Sequence, residues 1–189
     1  MKIRMQLMSD AIFGSGDSIP GGEDISILSD ENGFPYLKGG TFKGIFREEM
    51  GNYLAWTISD KTKIDREIER LLGKGGHAGI QSEDRLIFSD FTLSDYVKDR
   101  VLSEIEPGQG YMVLEALSHT RTFTAISSDG IVEEGSLRQC RCVNKGLNFY
   151  SEIKCLPGDE KLVKEVLSMI KWVGTMRSRG FGKVKLTIR

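Results

Sequence analysis

The chain has 189 residues, 39% hydrophobic and 28% charged, which is enough apolar material for one packed domain and too much for wholesale disorder. A formal net charge of −1 excludes a uniformly basic nucleic-acid glue, so any anion-binding surface must be local. No apolar run reaches the roughly 20 residues that span a bilayer, and three cysteines make neither a disulfide framework nor a paired zinc pattern; the expectation is a reduced, soluble, cytoplasmic protein without a membrane partner.

The N-terminus lacks the apolar core and small-residue cleavage site of a signal peptide. Instead Ile3, Met5 and Leu7 alternate with polar neighbours, which predicts a half-buried strand over Lys2–Phe13. The composition of Gly14–Gly22 predicts a loop. "DISILSDENGFPYL" predicts a hairpin turning at Asn32-Gly33. From Thr41 the period becomes helical: Phe42, Ile45, Phe46, Met50, Tyr53 and Leu54 form a buried stripe, with Lys43 and Arg47 four apart on a solvent face.

A charged segment, Ser59–Asp84, predicts an insertion with a short helix at Asp65–Leu72 and a glycine loop at Gly73–Gly79. "RLIFSDFTL" and the longer "YMVLEALSHTRTFTAI" predict strands. A hairpin region follows over about 119–150, with turns at Asp129-Gly130 and Lys145-Gly146. Cys140-x-Cys142 fits a strand pair on one face, the alternative being a metal site. The last helix is expected from Asp159, as N-cap, through Val173, with Gly174 as its stop, and Lys183–Ile188 is the final strand. This order predicts an α+β fold with a ferredoxin-like (RRM-like) β-α-β-β-α-β core carrying insertions, in a single domain over 1–189.

Two stretches carry candidate chemistry. In the first, Lys38, Gly39, Gly40, Lys43, Gly44 and Arg47 surround a helix start. The glycines there serve either a tight turn with close helix–sheet packing, or an anion site at the unpaired N–H groups of the helix N-terminus. No Walker A pattern is present, so the anion would be a polyanion backbone rather than a nucleoside triphosphate. In the second, Arg177, Arg179 and Lys183 interleave with Gly180, Phe181 and Gly182. Arginine forks match phosphate oxygens and an aromatic ring can stack on a base, whereas the alternative is a solvated charged turn. Two such loops at the edges of a ferredoxin-like sheet favour single-stranded RNA.

Asp24, Asp30 and "KGGTFKGIFR" occupy the places of a G-x-x-D, Asp, P-G-S-S-L-K-G-x-x-R pattern, and Gly174–Gly182 those of a G-x-x-R-S-R-G-[FY]-G loop. "HTRTFTAISSDGIVEEGSLR" is similar to an intervening D-R-x-T-G-x-A segment. With these motifs the chain resembles the RAMP superfamily of CRISPR-associated proteins, especially the backbone subunits of type III effector complexes. It departs from the pattern at Lys38 (for Pro), at Gly40 and Thr41 (for two serines), and at His119-Thr120-Arg121 (for Asp-Arg).

The resemblance implies an antiviral-defence subunit that binds CRISPR guide RNA, with RNA contacts at the two glycine stretches and at Arg121. Its partners would be other effector subunits, copies of itself along the guide, and target RNA. For subunits that cut target RNA, it places the essential acid of a metal-dependent endonuclease at Asp24, with Mg or Mn assisting attack of a ribose 2′-OH on the adjacent phosphate. Two alternatives stand beside this: a purely structural guide-binding subunit, and a nuclease that processes precursor RNA with His77 or His119 as base.

Overall fold

A computed structural model describes residues 1–18, 22–74 and 86–188. His77 and most of the Gly73–Gly79 loop lie outside the described residues. Strand β1 (Lys2–Leu7) buries Ile3, Met5 and Leu7 and turns Lys2, Arg4 and Gln6 to the other face, as its alternation predicts. It ends at Leu7 instead of Phe13 because the chain leaves the ladder there: the Met8 and Ser9 N–H groups both turn to Lys183 O, and Ala11 pairs with Val143 of another strand.

β1 is one of the two inner strands of a four-stranded antiparallel sheet. Its neighbours are β5 (Asn148–Lys154) and β6 (Val184–Ile188), and the short β2 (Ile87–Phe88) lies outside β5, giving the order β2-β5-β1-β6. Helix α1 (Gly39–Thr57) lies between β1 and β2 in the chain, and α5 (Glu160–Met169) between β5 and β6. Each of these helical connections therefore spans one intervening strand, which makes the core a ferredoxin-like β-α-β-β-α-β sheet. Phe42, Phe46 and Met50 of α1 and Val163 and Val166 of α5 share one core with Met5 and Phe149, residues opposed across β1 and β5. The Tyr53 hydroxyl donates to the Glu165 carboxylate, tying α1 to α5.

Several segments differ from the sequence expectation. The Asn32-Gly33 turn forms, with Gly33 at φ 81°, but its arms meet only through the single bridge Ser29–Pro35. The Asp30 carboxylate takes the N–H groups of Asn32 and Phe34 and so closes the turn locally. Helix α2 (Lys61–Leu72) begins four residues early because the Asp60 carboxylate caps it through the Thr62 N–H, at 2.9 Å. Helix α3 (Asp95–Leu102), capped by Ser94, had no counterpart among the expected elements.

Residues read as the start of a long strand form helix α4 (Gly110–Leu117). A short apolar run does not distinguish strand from helix by period; Met, Leu, Glu and Ala favour the helix. Gly110 also sits so close to the Asn32 carbonyl group that a Cβ would come within 2.9 Å of it. Only then comes β3 (Ser118–Phe123), paired with β4 (Arg138–Val143) as a two-stranded hairpin. Bridges from Ala11 to Val143 and from Ile25 to Cys140 fasten that hairpin to the core. Cys140 and Cys142 are buried on one face of β4, and burial pushes the Cys142 thiol up to about 12.

The last helix stops at Met169, short of Val173, and Gly174 is not its cap. Lys171–Val173 is extended instead and pairs with Gly182–Val184. The Val173 N–H donates to Gly182 O at 2.8 Å and the Val184 N–H to Lys171 O at 2.8 Å. This pairing makes a neck that closes the basic loop.

Candidate nucleic-acid interface

The loop above the neck is fixed by its backbone. The Thr175 N–H donates to Ile12 O and the Gly182 N–H to Asp10 O, which docks the loop on the chain just after β1. A Cβ at Gly174 would stand 2.4 Å from Ile12 O, and one at Gly182 would stand 1.8 Å from Val173 O. Both positions require glycine for close backbone approach as well as for positive φ. Between them a 3₁₀ turn, Arg177–Arg179, projects Arg177 and Arg179 outward, and Met176 enters it at φ 54°, a left-handed conformation uncommon outside glycine. Lys183 is exposed at the foot of the neck.

Phe181 does not present its ring to a base: it is only 3% exposed. Its ring meets Phe123 of β3 edge-on, at 5.7 Å between centroids and 72° between planes. The guanidinium of Arg121 lies over Phe181 at 5.5 Å, and that of Arg179 over Phe123 at 5.7 Å. Two Arg-x-Phe triplets, "RTF" at 121–123 and "RGF" at 179–181, thus exchange partners, each arginine capping the other's ring. The repeated triplet is visible in the sequence, yet Phe123 was not among the candidate residues. Arg121 also lies 3.8 Å from Asp10 and Arg177 lies 3.4 Å from Glu48 of α1. Among the described residues no carboxylate pairs with Arg179.

The first stretch is arranged differently. Gly39 packs against β2, where a Cβ would meet Phe88 O at 2.3 Å, and its N–H donates to the Asp90 carboxylate at 2.7 Å. The helix N-terminus therefore already holds an anion of the protein itself. Arg47 does not face solvent beside Lys43. It donates to Leu72 O at 3.1 Å and Gly73 O at 2.8 Å, satisfying carbonyls at the end of α2. Gly40 has nothing within 4 Å of its Cβ direction, Lys38 is exposed and Lys43 is half-buried. Glu48, the partner of Arg177, lies eight residues beyond Gly40, about 12 Å along the helix axis.

Asp24 is anchored to β4. Its Oδ2 accepts the Gln139 N–H at 2.7 Å and its Oδ1 accepts from Arg138 at 3.2 Å. The Gln139 N–H and the Arg138 guanidinium hold this carboxyl below the usual carboxylate range, against a smaller opposing effect of desolvation. The adjacent Glu23 is paired with Arg141 at 2.5 Å. Asp24 lines a pocket of about 520 Å³ with Ile25, Cys140, Met176 and two arginines, Arg138 and Arg179. The same two arginines line a second pocket of about 400 Å³ that includes Phe123 and Ser136 of the hairpin. The resemblance had assigned nothing to Arg138, which with Arg179 forms a wall common to both pockets.

Among the described residues no group of three or more His, Cys, Asp or Glu side chains could hold a metal ion. Each Asp24 oxygen takes one hydrogen bond and keeps a further lone pair, so this carboxylate could share a divalent ion with substrate phosphate and water rather than within an all-protein cage. His119 is bonded through Nδ1 to Asn144 at 2.7 Å, and its Nε2 lies 3.6 Å from Asp10.

A family model of the RAMP superfamily matches residues 4–185. The chain belongs to the RAMP superfamily. No curated protein matches the sequence. Among solved structures, this RAMP protein is similar to a chain of the type III-B Cmr-beta complex bound to cognate target RNA, with a TM-score of 0.67 and 14% identity, covering 98% of this chain and 95% of that one. It is equally similar to a chain of the apo Cmr-beta complex, with a TM-score of 0.68, 16% identity and the same 98% and 95% coverage. At these identities the likeness is one of fold. No helix among the described residues is long and apolar enough to cross a membrane.

Proposed function

We propose that this RAMP protein is a guide-RNA-binding subunit of a type III-like CRISPR effector complex. The observation that carries the reading is the docked glycine loop: its backbone is consumed by the fold while Arg177, Arg179 and Lys183 are held outward, beside Arg121 of the hairpin. Such an array binds phosphates without reading sequence, which suits a guide whose sequence varies. Gly180 gives the RNA backbone close access at the loop, and Lys38, Gly40 and Lys43 extend the contact along α1. Other effector subunits and further copies of this chain along the guide are the expected neighbours, in the cytoplasm.

Replacing Arg177, Arg179 and Lys183 together by Ala should weaken single-stranded RNA binding across sequences and lower the slope of log affinity against log salt by about two, roughly 0.7 per lost phosphate contact on a single strand. An unchanged slope rejects the reading.

A second reading adds cleavage of paired target RNA near Asp24. It is favoured by the pocket Asp24 shares with Arg179, since an arginine that holds a phosphate there brings the adjacent ribose toward the carboxylate. In the observed arrangement Arg138 and the Gln139 N–H keep that carboxylate ionised and weakly basic. Asp24→Ala should abolish cleavage by the assembled complex while guide binding persists. Cleavage that survives leaves the structural guide-binding role alone.

A further inference from the structure

Arg179 differs from the neighbouring arginines in what holds it. Arg177 has Glu48, Arg121 has Asp10 and Arg138 has Asp24, each a carboxylate that also offsets its charge. Arg179 rests instead on the face of Phe123, which orients the guanidinium, and among the described residues no carboxylate forms an ion pair with it, although Glu133 and Glu134 line the hairpin pocket and Asp24 the other. The Phe123 ring is in turn fixed edge-on by buried Phe181, whose own face is covered by Arg121. The stack Arg121–Phe181–Phe123–Arg179 is therefore a continuous series of ring and guanidinium contacts ending at a guanidinium on the wall between two pockets.

We propose that Phe123 is a positioning residue for RNA binding: it seats Arg179 at the wall shared by the Asp24 pocket and the hairpin pocket, so that the guanidinium meets an RNA phosphate without first being ordered. This rests on the RNA-binding reading above. The ring contributes nothing to RNA directly. Its effect is to leave one end of the Arg179 fork available while restricting the many rotamers a long exposed side chain otherwise samples, an ordering that binding would have to supply. A carboxylate in place of the ring would hold Arg179 as firmly but would compete with the phosphate.

The test is a double-mutant cycle on the full chain, read by fluorescence anisotropy with a labelled single-stranded RNA across a salt series. Phe123→Leu should weaken binding about two- to fivefold and move the salt slope toward that of Arg179→Ala. Phe123→Tyr, which keeps the ring face, should restore wild-type affinity and slope. In an Arg179→Ala background, Phe123→Leu should change nothing further.

A Phe123→Leu effect of equal size in both backgrounds, or none in either, overturns the positioning role. If Phe123→Leu loses its cooperative melting transition, Phe123→Met, which fills similar space without a ring face, is put through the same cycle, and loss of folding in both makes Phe123 a packing residue and ends the proposal. If instead Arg179→Ala itself leaves affinity and slope unchanged, it is the phosphate role of the loop that fails, a result separable from failure of Phe123 alone.

Discussion

The two basic glycine stretches have similar compositions and opposite uses of them. At the start of α1 the fold takes up the polar groups: Asp90 occupies the Gly39 N–H, and Arg47 is spent on the carbonyls ending α2. In the loop at Gly174–Lys183 the fold takes up the backbone, through Ile12, Asp10 and Val173, and leaves the guanidiniums outside. A glycine beside a cation is thus not in itself a phosphate site. What separates the two is how far the chain's own acceptors claim the donors: Asp90 and the carbonyls ending α2 take those of the first stretch, whereas in the second Glu48 reaches Arg177 and, among the described residues, no carboxylate pairs with Arg179.

The largest expected effect probes the backbone side of this contrast. Gly182→Ala places a Cβ 1.8 Å from Val173 O at a φ of 75°, and it should cost more than about 3 kcal/mol in denaturant unfolding. A mild cost would mean the neck is loose and the loop is not rigidly docked. Next in size, Arg47→Ala should destabilise the fold by about 1–3 kcal/mol by stranding the carbonyls of Leu72 and Gly73, with the RNA salt slope unchanged. Arg179→Ala should do the reverse, keeping the melting temperature and lowering the slope by roughly 0.7. If Arg47→Ala also lowers the slope, the comparison breaks and the first stretch is a phosphate contact after all.

Gly40→Ala sharpens the boundary between the two regions. Its Cβ enters open space in a helix, so stability should rise by up to about 1 kcal/mol, and affinity for RNA should fall less than in Arg179→Ala. Unchanged affinity would confine the interface to the second loop.

The smallest effect concerns Asp24. Its folded-state pKa lies below the ordinary value of about 3.9, so its stabilising contribution is complete above that pH and is lost as pH falls through the lower folded value. The difference in melting temperature between wild type and Asp24→Asn should therefore shrink below about pH 4. A difference that persists into stronger acid would show that the Arg138–Asp24 latch does not depend on the ionised carboxylate.

How far the molecule could be read from its sequence follows from how local each cause is. The stripe of Phe42, Phe46 and Met50 and the alternation of Ile3, Met5 and Leu7 are written in neighbouring residues, and with β5 and β6 they imply the ferredoxin-like core. The RAMP-like loop at Gly174–Gly182 was legible because its glycines carry φ requirements that few other residues meet. Helix α4 was misread because its start is set by contact with the Asn32-Gly33 turn, far away in sequence. The end of α5 was misplaced because Lys171–Val173 prefers pairing with Gly182–Val184 to another helical turn.

Sequence by itself determined periodicity, the turn glycines and the gathering of arginines into the second loop, since these depend on covalent geometry and spacing. Tertiary structure alone decided that Phe181 is buried, that Arg47 is committed to α2, and that Arg179 lies on Phe123 instead of against a carboxylate. The physical reason is that a cation's availability is set by which acceptor or ring reaches it first, and those partners come from parts of the chain 26 to 56 residues away.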